Sequence, residues 1–330
     1  LNRRIGFILT FLFILFLPQP ASIAAPSAPS TIFLPLITGG VPATPTLGGC
    51  PMFPANNIWN RRIDALPVAV NSATMINAIG ANSALHPDFG AALWNGGPIG
   101  IPSNLVPGSQ SRVPIVFDYA DESDPGPYPI PNNPQMEYGS DHHVLIVDTG
   151  NCVLYETWDT RYNSGWFAGS GAKWDLNSNA LRPADWTSAD AAGLPILPGL
   201  VRYAEVAAGE IKHAIRFTVD GTNNTYVWPA RHRTNYHYSA SKPPMGQRFR
   251  LKASFDISGF SRDTQVILTA FKRYGIIVAD NGSNWYISGA PDSHWNDSTL
   301  VSEFARVHGY DFEAVDVSSL MIDPNSGQSR

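Results

Sequence analysis

The sequence predicts a mainly β domain: an antiparallel β-sandwich or barrel-like sheet with a few peripheral helices and long ordered loops. Three observations lead there. Short runs rich in β-branched and aromatic residues recur at 113–119, 142–148, 152–158, 213–219, 225–228 and 248–255, separated by Gly, Pro and Asn, the residues that turns between strands require. Helical periodicity is confined to a few segments, so the chain does not read as repeated βαβ units. From Cys50 onward roughly 280 residues run without a second linker, close to the upper size for one hydrophobic core, which predicts a single domain over 50–330.

The clearest hairpin is SDHHVLIVDTGNCVLYETWD, residues 140–159. A two-residue turn at Gly150-Asn151 pairs Thr149 with Cys152 and therefore His143 with Trp158. Alternation then puts His143, Leu145, Cys152, Leu154, Glu156 and Trp158 on one face. A three-residue loop would bring His142 to that face instead, so in either register one histidine shares a face with Glu156.

Helices are expected at three places. From Asp263 the residues Val266, Ile267, Ala270, Phe271 and Tyr274 share a face, Lys272 and Arg273 complement the dipole in the last turn, and Gly275 ends the segment. A second helix is expected over 298–307, capped by Asp297 or Ser298, and a short one over 72–79. Strands at 276–279 and 285–287 flank the turn residues 280–283. The stretch 162–209 follows neither periodicity and is rich in Gly and Pro, yet Trp166, Phe167, Trp174, Trp186 and Leu194 supply surface for packing. It reads as an ordered elaboration over one face or rim of the sheet.

At the N-terminus Arg3 and Arg4 precede an apolar run over 5–17, with small residues at 22–24. This pattern predicts a cleaved export signal over 1–24; Pro18 and Pro20 end the run too early for a membrane anchor, which needs about 20 residues. The stretch 25–49, rich in Pro, Ser, Thr, Ala and Gly, reads as a linker with one apolar island, IFLPLI at 32–37. A secreted protein with no membrane span after signal removal is expected.

Net charge is only −5 and charged residues make up 15%, so there is no basic stripe to neutralise phosphates and nucleic acid is not an expected partner. The chain has 2 cysteines. In an oxidising compartment they are expected to pair, Cys50 with Cys152.

Nucleotide-binding loops, the serine-hydrolase elbow, the EF-hand loop and the helical zinc motif are all missing from the sequence. What remains is a scatter of carboxylates beside aromatics: Glu156 near Tyr155 and Trp158, Asp175 after Trp174, Asp185 before Trp186, and Asp280 ahead of Trp285. Aromatic rings stack on sugar faces, and two placed carboxyl groups suffice for glycoside hydrolysis. With 9 Trp and 12 Tyr, the leading expectation is a carbohydrate-active enzyme acting on an extracellular polysaccharide. Glu156 would be the acid/base, Asp175 or Asp280 the second carboxylate, His143 and His213 orienting or relay groups, and Trp158, Trp174, Trp285 and Tyr155 the sugar platform.

Two other classes stand beside it. A metal-dependent exported enzyme would gather a divalent cation on His142 or His143 with His213, His232 and Glu156, or with Asp141 as the carboxylate; the loop histidines His232 and His237 are free to turn toward a cleft. A non-catalytic glycan-binding or adhesion module would use the tryptophans alone. Sequons occur at Asn223, Asn281 and Asn296.

The stretches GLPILPGLVRYAEVAAGEIKHAIRFTV, PPMGQRFRLKASFDISGF and KRYGIIVADNGSNWYISGAPDSHW resemble segments of a group of exported bacterial proteins without assigned function. The resemblance spans most of the chain after Cys50. It implies one integral domain and export, and it carries no catalytic residue across.

Overall fold

Two sheets share the principal core of this protein. The computed structural model describes residues 44–330; the expected export signal, the linker up to residue 43 and its 32–37 island lie outside them. The larger sheet has six strands in the order Phe312–Val315, Arg248–Leu251, Ile276–Asn281, Ile215–Val219, Tyr286–Ser288 and His86–Asp88. The smaller has four: Ser170–Asp175, Val153–Trp158, Val144–Asp148 and Ser103–Val106. A three-stranded sheet built on Ile115–Phe117 and Trp166–Ala168 and two short ribbons complete the β structure. One ribbon pairs Thr46–Leu47 with Cys50–Pro51, so regular structure begins inside the stretch that reads as linker.

The fold is mainly β, as expected, but the sheets are mixed and none of them closes into a barrel. Parallel pairs join Ile215–Val219 to Ile276–Asn281, Tyr286–Ser288 to His86–Asp88 and Ser103–Val106 to Val144–Asp148. The strands around 280–283 therefore do not form a hairpin: Ile215–Val219 lies between them. Turn chemistry at 280–283 was a local signal, and strand insertion is a non-local event it cannot report.

Strand alternation distributes the core. In the four-stranded sheet Leu145, Val147, Leu154, Ala172 and Trp174 enter the principal core, while Val144, Ile146 and Tyr155 enter a second, smaller one with Ile115, Phe117 and Tyr128. That period of two is why each face can be read from the sequence. The central strand Ile276–Asn281 is covered on both faces and begins with an unbroken apolar run, Ile276 to Ala279, all fully buried, the signature of a doubly covered strand. Gly171 is required by close approach, since a Cβ there would lie 2.4 Å from the Phe117 ring.

The helix Arg262–Arg273 buries Ile267, Leu268, Ala270 and Phe271, and Gly275 at φ +72 ends it, a conformation that favours glycine. The helix Asp297–Phe304 is shorter than expected and is capped by Asn296, whose side chain accepts from Thr299 N at 3.1 Å, not by Asp297 or Ser298. Ser72–Ile79 forms over the expected residues. The aperiodic stretch 162–209 holds more regular structure than it shows: the strands Trp166–Ala168 and Ser170–Asp175 and the helix Tyr203–Ala208. Glycines in GSGAKWD blur its alternation. Beyond the strands, residues 188–201 are almost continuously buried.

The Cys50–Cys152 disulfide forms, closing a separation of 102 residues between the start of the described chain and the hairpin turn. No described helix is long and apolar enough to cross a membrane.

Candidate functional site

The hairpin ladder keeps the register of the two-residue turn. Val144 faces Thr157, Leu145 faces Glu156 and Asp148 faces Val153, so extending the phase sets His143 beside Trp158. His143 and Glu156 thus lie on the core-facing side, and both hold the buried 188–201 stretch. Glu156 is fully buried and accepts from Leu197 N at 2.8 Å, Ile196 N at 3.0 Å and Trp174 Nε1 at 3.2 Å. Burial pushes its carboxyl up to about 7, while the backbone donors of Leu197 and Ile196 pull the other way. His143 contacts Glu137 through Nδ1 and stands 3.0 Å from Ala189 O through Nε2. Burial alone would lower the imidazole; the Glu137 carboxylate reverses this and carries it to about 9.

Above the same stretch opens a cavity of about 710 Å³. Two carboxylates of its wall, Asp190 and Asp280, belong to a charged cluster behind it. Arg216 makes a bidentate pair with Asp190, Nε to Oδ2 at 2.9 Å and Nη2 to Oδ1 at 2.8 Å, and its Nη2 also meets Asp280 Oδ2 at 3.3 Å. Ser288, opposite Arg216 in the phase of the neighbouring strand, accepts from Nη1. A register shift places Asp280 here. Phe217 pairs with Val278, but Thr218 pairs with Asp280, so one extra residue in Ile276–Asn281 turns Asp280 to the face of Arg216. Without that bulge the alternation would send it to the other side. Asp280 is 19% exposed in its side chain and lines the cavity. Burial first, and the neighbouring Asp190 charge second, hold its carboxyl well above the ordinary range against the opposing pull of Arg216.

The rim is aromatic and polar. Trp158 and Tyr119 stand with ring centroids 6.3 Å apart, and Tyr236 stacks on His237 at 4.0 Å; all four line the cavity. His232 lines it too. Its Nδ1 lies 2.8 Å from Ala191 O. A carbonyl only accepts, so Nδ1 carries the proton, and in the neutral ring Nε2 presents its lone pair, 3.8 Å from Glu122 Oε2.

No family model, curated protein or solved structure matches this chain. Function therefore rests on where the side chains stand.

Of the residues singled out by sequence, Trp158, Asp280, His232 and His237 converge on the cavity, with Asp141 also in its lining. The others do not. Glu156 is sealed beneath the cavity by its donors, which occupy the oxygens an acid/base would offer to substrate. His213 is fully buried elsewhere, with Nε2 3.1 Å from Glu205 Oε2 and Nδ1 2.7 Å from Ala214 O. Asp175 is exposed at a strand end, accepting from Asn177 N at 2.9 Å. Trp174 is buried against Glu156, and Trp285 is a core residue donating to Gly80 O at 3.0 Å, so neither presents a ring to a sugar. Tyr155 packs in the second core, its hydroxyl held by Arg112 at 2.6 Å. Trp174 and Tyr155 follow strand parity into the two cores, and Trp285, a turn residue at φ +62 ahead of Tyr286–Ser288, packs in the principal one, where aromatic area is worth most.

The cation set His142, His143, His213, His232 and Glu156 does not assemble: His143, His213, His232 and Glu156 are each held by separate partners. Among the described residues a different group comes together: Glu137, Asp141 and His143 each offer a ligand atom, all within 4.8 Å of one another.

Sequence reasoning missed Asp190, Arg216, Glu137, Tyr119 and Tyr236. Two of these carried a signal. Asp190 interrupts the small and apolar run ADAAGLPIL, and Arg216 interrupts the strand IRFTV; a lone charge in a run otherwise destined for burial demands a partner.

Proposed function

We propose that this protein is an exported glycan hydrolase whose catalytic acid is Asp280. One observation carries the reading: a carboxyl whose proton affinity burial and Asp190 raise well above the ordinary range opens onto a cavity rimmed by Trp158 and Tyr119. Glycosidic cleavage needs such a proton donor, and flat apolar rings beside polar groups suit a pyranose face. The disulfide supports a site of action in an oxidising compartment.

In the proposed reaction Asp280 gives its proton to the leaving glycosidic oxygen as its bond to the anomeric carbon breaks. His232, with its lone pair on Nε2, takes a proton from the water whose oxygen bonds to that carbon. Arg216 holds Asp190 in place, and the Asp190 charge raises the proton affinity of Asp280 without touching substrate.

The test is a panel of extracellular polysaccharides, scored for both binding and released reducing ends with wild type, Asp280→Asn and Trp158→Ala. Turnover by wild type, its loss in Asp280→Asn with binding retained, and weakened binding in Trp158→Ala are expected. Binding without turnover by wild type would make the protein a glycan-binding module, and undiminished turnover by Asp280→Asn would remove Asp280 as the acid.

A further inference from the structure

We propose that Glu137, Asp141 and His143 form a binding site for a divalent transition-metal ion of the Zn²⁺ or Mn²⁺ class at the edge of the cavity. The three ligand atoms lie within 4.8 Å of one another, close enough for one ion to contact all three. The inference does not depend on the glycan reading.

The orientation of His143 is the second observation. Its Nε2 is 3.0 Å from Ala189 O, a carbonyl outside the group. Since that oxygen can only accept, Nε2 carries the ring's N–H, and in the neutral imidazole Nδ1 is left with a lone pair. That lone pair faces Glu137 Oε2, another acceptor. In the metal-free protein a proton on Nδ1 joins the two, and an ion entering the group would displace that proton and take the lone pair. An outward N–H fixed by a backbone carbonyl is also how proteins orient metal-bound imidazoles. His143 itself is 1% exposed, so its ring is held by packing as well.

The donor types select the ion class. Two carboxylates with one imidazole suit Zn²⁺ or Mn²⁺ better than Ca²⁺ or Mg²⁺, which favour oxygen throughout. Asp141 is exposed and lines the cavity, so an ion held here keeps a side open to water or substrate. Three protein ligands and an open position are the pattern of metal sites that meet a substrate, as distinct from closed structural ones.

The experiment uses the full chain without an affinity tag, treated with chelator, then titrated with Zn²⁺ and with Mn²⁺ by calorimetry and checked by elemental analysis. No glycan is present, so the result stands apart from the hydrolase test. Saturable uptake of one equivalent of either ion by wild type is expected, weakened roughly tenfold or more in Asp141→Asn and unchanged in Asp175→Asn, a distant exposed control. Asp141 is a surface residue, so its variant keeps the fold, which circular dichroism verifies. No saturable uptake by folded wild type, or equal uptake by Asp141→Asn, overturns the proposal.

Discussion

Asp190 and Asp280 present carboxylate oxygens to the same nitrogen, Nη2 of Arg216, at 2.8 and 3.3 Å. Asp190 also binds Nε and so takes the guanidinium edge-on. Asp280 is left as a second carboxylate on a single positive charge, in a site where ionising it is costly.

The first prediction concerns that proton. A carboxyl raised in the folded state stabilises the fold at low pH and loses this contribution as pH rises through the folded pKa. Hydrolysis should follow the same limb, falling as pH climbs through the raised value of Asp280. Asp280→Asn copies the neutral acid in shape, so it should fold as well as wild type while turnover drops by roughly 10²-fold or more. Infrared difference spectra should show a protonated carboxyl band above about pH 5, beyond the usual carboxylate range, that is missing in the variant. A wild type without that band would leave no proton to donate.

Glu156 should behave as a structural anchor. Glu156→Ala strands the N–H groups of Ile196 and Leu197 and the indole of Trp174 without an acceptor. Loss of about 2–5 kcal/mol is expected in urea unfolding. Limited proteolysis should open the chain within 188–201 first. A variant of unchanged stability with abolished turnover would return Glu156 to a chemical role.

The His143–Glu137 pair gives stability a pH profile. The imidazole is raised to about 9 from 6.5, so its contribution is complete below 6.5 and is lost as pH rises through 9. Glu137 is lowered, burial opposing and His143 overriding, so its share is lost as pH falls into the acid range. In metal-free protein, stability should decline by about 3 kcal/mol between pH 6.5 and 9. His143→Gln should flatten that decline, as thermal melts across the range would reveal.

Removing the disulfide should weaken the fold without changing its topology. The bridge closes a separation of 102 residues, and Cys50→Ser with Cys152→Ser should cost about 2–5 kcal/mol. Reduction of wild type should lower the melting temperature to the level of the double variant.

The hairpin shows how far local pattern reaches. The turn at Gly150-Asn151 fixes the phase, the phase fixes parity, and parity sets His143 and Glu156 on one buried face. The same parity sends Trp174 inward, which a tally of tryptophans beside aspartates does not register. The cavity residues lay beyond such reasoning, because Asp280 owes its direction to a bulge and Asp190 to a loop with no period.

The sequence by itself determined the β-rich class, a hairpin with one histidine on the face of Glu156, the helix stop at Gly275 and a disulfide between its 2 cysteines. These follow from turn chemistry, side-chain period and pairing arithmetic, all local or countable. Tertiary structure alone decided which carboxylates meet. Arg216 reaches Asp190 across 26 residues and Asp280 across 64, and a carboxyl's proton affinity depends on the charges and burial around it, which exist only once distant segments have packed.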